Sequence, residues 1–467
     1  MSGFWWGVAT ASYQIEGATT ADGRGPSIWD TFTHGGDRIA DGSTGDVACD
    51  HYHRYPDDVA LMAGLGVNAY RFSIAWPRIQ PEGTGPANPA GIAFYDRLVD
   101  ALLVRGIDPV ATLYHWDLPQ ALQAGPTGLA GVDSRPGGWA NRDTAGRFAD
   151  YADLMGAALG DRVRLWLTLN EPSVHTTYGH MWGMHAPGCA FADPFPVVHH
   201  QLLGHGLAVA ALRARTASPI AIANNYSPGW AVGPDGERDS ATDADRAARD
   251  AYDAFHNRLY TEPLLLSRYP DGLDGFAGAH RLAEESAGGL VRPGDLAAIA
   301  APLDALGVNY YNPAGIGAQS WPGPFPYDMR LIAGFPTTYF GWPVVPDALR
   351  ELLVSLHERY GRRLPAVYVT ESGCAYEDVP GPDGSIEDTD RIAYLEAHVA
   401  AVRAAEGDGV PVRGYFAWSL LDNFEWAEGY TKRFGLVHVD FATQTRTPKA
   451  SFGWYRDLIL ASRDAAR

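Results

Sequence analysis

Short apolar segments alternate with amphipathic helical segments about eight times along this chain, and that alternation restricts the fold more than any other feature. Strand-like runs occupy 4–11, 67–74, 109–114, 163–169, 219–223, 303–310, 367–370 and 413–418. They are apolar without strict polar/apolar alternation, the pattern of parallel strands covered on both faces. Helical periodicity marks 53–65, 92–104, 143–159, 196–214 and 242–266. It returns at Leu349, Leu352, Leu353 and Leu356, and at Ile392, Leu395, Val399 and Val402, a stripe that Asp388 stands in place to cap. A last helix begins near Lys449. Repeated β and α units imply a parallel sheet, and eight of them favour closure over an open sheet. No Gly-x-Gly-x-x-Gly follows any strand, which argues against a dinucleotide-binding sheet. The expected fold is therefore α/β, a (β/α)8 TIM barrel with long βα loops, forming a single domain over 1–467.

Four stretches read as connections. The segments 22–50 and 118–139 are rich in Gly with Asp or Pro, and 233–240 is polar. The longest, 314–346, combines Pro, Gly and aromatics and is expected to lie as a loop over a site. Residues 433–439 read as an extra hairpin arm.

The net charge of −19 argues against nucleic acid or an anionic membrane as partner. Cys49, Cys189 and Cys374 are odd in number and far apart, so they read as reduced thiols in a cytoplasmic protein. The start of the chain lacks the basic and long apolar regions of a signal segment, and no window reaches the roughly 18 apolar residues of a membrane helix.

The strand ends carry the chemistry. Leu165-Trp166-Leu167-Thr168-Leu169-Asn170 runs into Glu171 and Pro172, and Val367-Tyr368-Val369-Thr370 runs into Glu371. A carboxylate at the end of a buried strand is costly unless it has partners or a task. Pro172 is expected to stop the strand and to hold Glu171 extended. Other strands end at Gln14, Arg71, His115-Trp116, Asn309-Tyr310-Tyr311 and Trp418, with Glu425-Trp426 just beyond. In a (β/α) barrel all these ends open on one face. Two carboxylates among amides, imidazole and indoles suit glycoside hydrolysis, one protonated to release the leaving oxygen and one ionised. Arg71, if it reaches Glu371, would keep that group ionised. Neither His175, His180 and His185 nor His199, His200 and His205 has a His-Glu-x-x-His arrangement or a tight Cys/His cluster, so no metal and no cofactor are expected.

Over nearly its whole length the sequence resembles the β-glucosidase family of glycoside hydrolases, family 1. The resemblance is carried by 9–17 (Ala-Thr-Ala-Ser-Tyr-Gln-Ile-Glu-Gly), 70–76, 113–119, 168–172 (Thr-Leu-Asn-Glu-Pro), 306–311, 369–373 (Val-Thr-Glu-Ser-Gly) and 418–426. It implies a retaining mechanism on a small-molecule β-glycoside or oligosaccharide, with Glu171 the general acid/base and Glu371 the nucleophile. Gln14, His115, Asn170, Glu425 and Trp426 would hold the hydroxyls of the terminal sugar, and Trp418 would be its stacking platform. Trp116 and Asn309 are expected at the same site. Arg71 and Tyr311 would support the nucleophile, and Trp342 matches the family's aromatic at the leaving-group side. Two departures stand out. The residue after the nucleophile, usually Asn in the family, is Ser372. Members acting on 6-phosphorylated sugars carry Ser where Glu425 stands; here only Lys432 matches their pattern, and Phe434 does not, so an unphosphorylated sugar is expected. A transglycosidase and a non-catalytic sugar-binding barrel remain as other readings.

Overall fold

A computed structural model describes residues 3–123, 137–283 and 288–465. Eight parallel strands close a barrel: β1 (Trp5–Ala9), β2 (Ala69–Ser73), β3 (Asp108–Tyr114), β4 (Leu165–Asn170), β5 (Ile220–Asn225), β6 (Ala305–Asn309), β7 (Ala366–Ser372) and β8 (Val412–Trp418). Each pairs with its sequence neighbours, and β8 returns to β1. A long helix follows each strand: α1 (His51–Leu65), α2 (Pro89–Val104), α3 (Asp143–Leu159), α4 (Phe195–Arg213), α5 (Asp243–Tyr252), α6 (Pro346–Tyr360), α7 (Thr389–Gly407) and α8 (Ala450–Ala465). The (β/α)8 barrel expected from the alternation is present. Among the described residues, no helix is long and apolar enough to cross a membrane.

The local reasons are ordinary ones. Helix α2 buries Phe94, Tyr95, Leu98, Val99 and Leu102 on one face. Pro89 opens it, and the Asn88 side chain accepts from the Ala90 amide. All six residues of β4 are buried, since one side faces the barrel interior and the other the helices. The strand ends come level: Ala9 pairs with both Arg71 and Trp418, and Asn309 pairs with both Asn225 and Glu371. The residues that follow therefore open on one face of the barrel.

Several connections hold more structure than the sequence suggested. Within 22–50, a helix at Ile28–His34 starts with a capping box between Ser27 and Asp30. The span 242–266 is divided: α5 passes into a π-helical turn, Asp253–Arg258, before a short helix at Glu262–Leu266. The stretch 314–346 is not all loop. Its strands Ala314–Ala318 and Tyr327–Arg330 pair antiparallel, and the first also pairs with Gly229–Ala231. Glycines hid that hairpin, and packing requires one of them. A side chain at Gly317 would collide with the Arg330 guanidinium, which reaches the Val232 carbonyl (2.7 Å) and Asp245 (2.8 Å). Asp388 stands at the start of α7 but does not cap it. Its carboxylate accepts instead from Arg391 and from the amide and hydroxyl of Ser451. The expected arm is the hairpin of Val437–Asp440 with Thr445–Pro448. Of the loop placed at 118–139, residues 124–136 lie outside the described residues.

Candidate active site

Glu171 ends β4 in the left-handed region, at φ 46° and ψ 59°, not extended as expected. Its amide still bonds to the next strand, at Ala223 O (2.8 Å), while its carbonyl accepts from His175 and opens a short helix at Pro172–Val174. Strand and helix thus meet at one residue, and that abrupt turn outweighs the proline's bias. Trp116 (φ 76°) and Trp426 (φ 48°), both on the same cavity, are left-handed too. Such conformations persist only where the surroundings fix them, and they gather at functional sites.

The Glu171 carboxyl accepts from Asn309 Nδ2 (2.9 Å) and Asn225 Nδ2 (3.0 Å), and among the described residues it pairs with no cation. Burial, and after it the negative charge of Glu371, pushes its pKa up to about 8, against the two amides and the more distant Arg71 charge. Glu371 is in another setting. A register shift between Val369 and Glu371 on β7 sets it opposite Asn309. Arg71 Nη1 donates to Oε1 at 2.5 Å, and the Tyr311 hydroxyl donates to Oε2 at 2.7 Å. Burial leaves the pKa of Glu371 raised as well, with Arg71 and Tyr311 opposing that rise. Both carboxyls line one cavity of about 470 Å³.

Behind the carboxyls runs a hydrogen-bond chain whose polarity can be read from one end. Arg71 can only donate, and its Nη2 reaches Asn170 Oδ1 at 2.5 Å. Asn170 Nδ2 is therefore a donor, and it meets His115 Nε2 at 3.0 Å. Nε2 must accept, so the His115 proton sits on Nδ1. Burial and the Arg71 charge keep that ring neutral by lowering its pKa. Asn309 also donates to Asn170 Oδ1 (3.0 Å) and accepts from the Thr370 hydroxyl (2.6 Å), so its amide is engaged with protein groups.

Gln14 is fully buried and donates to Phe424 O (2.9 Å), Asn423 Oδ1 (3.1 Å) and Glu425 Oε2 (3.3 Å). Among the described residues, the buried atoms Gln14 Oε1 and His115 Nδ1 in this floor have no hydrogen-bond partner. Glu425 lines the cavity with its pKa raised to about 8 by burial and by the charges of Glu371 and Glu171. The rings of Trp418 and Trp426 stack near His115, with centroids 5.9 and 5.8 Å from it. A side chain at Gly373 would collide with the Trp418 carbonyl, so glycine there lets β7 and β8 close over the site. The Trp116 indole N–H is committed to the Asn170 carbonyl (2.9 Å). Trp342 stands on the opposite wall, stacked on Phe340 at 4.2 Å and 5.5 Å from Tyr311.

The structure thus brings all the expected residues to one end of the barrel. Those it adds are Asn225 and His256. Asn225 ends β5 and holds Glu171, and His256, on the π-helical turn, bonds Asn225 Oδ1 at 3.1 Å. The strand-end position of Asn225 could have flagged it, by the same rule that flagged the others. Nothing local marks His256. Ser372 points away from the cavity, toward the phenols of Tyr394 and Tyr415. Lys432 is engaged with the Tyr339 carbonyl (3.2 Å) and lies 3.9 Å from Glu428. Of the two histidine sets, His175 meets Tyr114, His199 meets Tyr269 and Asp295, His205 meets Thr168, and His185 lines the cavity.

A parallel (β/α)8 barrel with a buried acid and a guanidinium-held carboxylate at its strand ends has the paired carboxyl groups that glycoside hydrolysis uses. Comparison with known proteins narrows this. The family described as Glycosyl hydrolase family 1 matches residues 1–463, and the chain belongs to that family. It is 47% identical to thermostable beta-glucosidase B of Thermobispora bispora over 98% of this chain and 90% of that protein. It is 46% identical to a bifunctional beta-D-glucosidase/beta-D-fucosidase of Bifidobacterium breve over 98% of this chain and 97% of that one. Among solved structures, the family 1 β-glucosidase of Thermotoga maritima superimposes with a TM-score of 0.89 at 42% identity, covering 99% of this chain and 98% of the other. The same enzyme has been solved with isofagomine lactam. The protein is an O-glycosyl hydrolase that acts on β-glycosides with retention.

Proposed function

We propose that the whole chain acts as one catalytic domain that releases a terminal, unphosphorylated β-D-glucosyl or closely related unit, with Glu371 as nucleophile and Glu171 as acid/base. The observation that carries the assignment is the asymmetry of the pair: Arg71 and Tyr311 grip Glu371, while among the described residues the Glu171 carboxyl bonds to neutral amides. The ionised Glu371 attacks the anomeric carbon. As the bond to the aglycone breaks, Glu171 gives its proton to the departing oxygen, leaving a glycosyl ester on Glu371. Glu171, now ionised, takes a proton from water, which attacks the same carbon and frees Glu371. Two displacements leave the sugar in the β configuration.

The sugar itself is assigned to Gln14, His115, Asn170, Glu425 and Trp426, with Trp418 beneath it and Trp116 and Asn309 behind. Gln14 Oε1 and His115 Nδ1, buried and unpartnered, offer an acceptor and a donor that hydroxyls would satisfy. Glu425 offers a phosphate no cation, and Lys432 is turned to Tyr339 and Glu428 instead of the sugar side. The names of the relatives, β-glucosidase and β-D-fucosidase, agree with this range of sugars. The three thiols are free, in keeping with a reducing, cytoplasmic setting. NMR of the first sugar formed from an aryl β-glucoside tests the mechanism: β-glucose is expected, and α-glucose would overturn it. Adding a simple alcohol separates hydrolysis, expected to dominate, from transfer.

A further inference from the structure

The amides of Asn309 and Asn225 hold the Glu171 carboxyl, and each must be turned the right way to do so. An ionised carboxylate only accepts, so both side chains must present Nδ2 to it. Asn309 is fixed by its other neighbours. Arg71 makes Asn170 Oδ1 an acceptor, so Asn309 Nδ2 donates there (3.0 Å) as well as to Glu171, and its Oδ1 accepts from the Thr370 hydroxyl (2.6 Å). Asn225 depends on His256. Its Nδ2 faces Glu171 (3.0 Å) and its Oδ1 faces His256 Nε2 (3.1 Å). An amide oxygen cannot donate, so Nε2 carries the imidazole proton. Burial pushes the pKa of His256 down to about 4 against the charge of Asp253, so at neutral pH the ring is neutral and holds that one proton.

The surrounding chain sets the ring in place. His256 sits on the π-helical turn Asp253–Arg258, stacked on Tyr252 with centroids 5.1 Å apart and planes 10° apart. Asn257, the next residue, is tied to the backbone just beyond Asn225: it accepts from the Ser227 amide (3.2 Å) and donates to the Ser227 carbonyl (3.2 Å). Arg359 of α6 holds Asp253 (2.9 Å). Turns of this kind within helices recur at functional sites.

We infer that His256 is a positioning residue for the acid/base: by donating to Asn225 Oδ1 it keeps that amide's Nδ2 on Glu171 and so favours the ionised carboxylate that the second displacement needs. This rests on the acid/base reading above. In the free enzyme the charge of Glu371 helps to keep Glu171 protonated. Once Glu371 is esterified that charge is gone, and the two amides then favour Glu171 as base. Without His256, the Asn225 amide is free to turn its oxygen to Glu171, where it would accept from the protonated carboxyl and favour that form instead.

The experiment records kcat/KM against pH for methyl β-D-glucoside, which needs the proton, and kcat and KM at pH 7 for an aryl glucoside with a good leaving group. It compares the native protein with His256→Phe, His256→Gln, Asn225→Ala and the double variant Asn225→Ala/His256→Phe. Glu171 is also faced by Glu371, Arg71, Tyr178, Tyr311 and Glu425, which all these variants keep. In His256→Phe the alkaline limb should move up by about half a pH unit or more. With the aryl glucoside, where the second displacement limits turnover, kcat should fall by about threefold or more and KM should fall with it. His256→Gln, whose amide can donate to Asn225, should stay close to the native protein. Asn225→Ala should move the limb upward too, and adding His256→Phe should move it no further. An unmoved limb in His256→Phe, a limb displaced as far in His256→Gln, or a further shift in the double variant would overturn the inference. Nitrogen-15 NMR of the native protein labelled in histidine, with the His256 signal identified by its loss in His256→Gln, reads the tautomer directly. The proton is expected on Nε2, and a proton on Nδ1 would overturn the inference even if His256→Phe does not fold. Native-like hydrolysis of methyl β-D-glucoside by Glu171→Gln would instead overturn the acid/base reading, and this inference with it.

Discussion

At Glu171 the proton is held by burial and by the neighbouring charge of Glu371, with its pKa at about 8. A carboxyl whose pKa is raised stays protonated up to that value and loses its proton as pH climbs through it. The acid step therefore fails on the alkaline side, and kcat/KM for alkyl glucosides should fall above pH about 8. Glu171→Ala should spare aryl glucosides with good leaving groups far more than alkyl ones, because only the latter need the proton. Glu371→Ala should cut hydrolysis by about 10⁴-fold or more, with azide restoring turnover as an α-glucosyl azide. Tyr311→Phe removes a bond to the ionised form of Glu371, so its pKa rises. The acid limb of the profile should then move to higher pH and kcat should drop about 10- to 100-fold. A pH profile for each variant checks these outcomes.

Between strand β8 and helix α8 runs the segment carrying Glu425 and Trp426, and buried charges hold it. Asp422 accepts from Lys449 Nζ (2.7 Å), Arg433 (2.8 Å) and the Gly435 amide (2.9 Å). Lys449, just before α8, also bonds Asp378, which in turn pairs with Arg391. Lys449→Met would leave two buried carboxylates short of a cation, at a cost of about 3–5 kcal/mol. A lowered Tm in thermal unfolding is expected, with KM raised for every glucoside because the sugar-holding segment loosens. These elements also show where sequence reading stops. The apolar strands and the stripes on α2 and α7 were legible because burial on one or both faces writes its own period. The hairpin over the cavity was not, since Gly315 serves close backbone approach, Gly317 leaves room for the Arg330 guanidinium, and both read as loop. The turn at Glu171 was misread because two conflicting demands, Pro172 and the strand-to-helix corner, meet at one residue.

For the molecule as a whole, closure of the barrel is what joins residues far apart in the chain. Much of the candidate site was legible because Arg71, His115, Asn170, Glu171, Asn309, Glu371 and Trp418 lie at or just past strand ends, which the closed barrel gathers, whereas Gln14, Trp342, Glu425 and Trp426 lie on connections and were marked by the family resemblance. His256 was not, because it touches Asn225 from a π-helical turn that has no sequence period of its own. What topology could not supply was the contacts on which the proposed division of labour rests: a guanidinium and a phenol on one acid, two amides on the other. Mass spectrometry of digested Glu171→Ala, after reaction with an aryl β-glucoside bearing a good leaving group, tests that division most directly. Without its base the variant should stall as the ester, and the peptide containing Glu371 should carry one glucosyl group. A glucosyl group on another residue, or full turnover with no group on Glu371, would contradict the assignment.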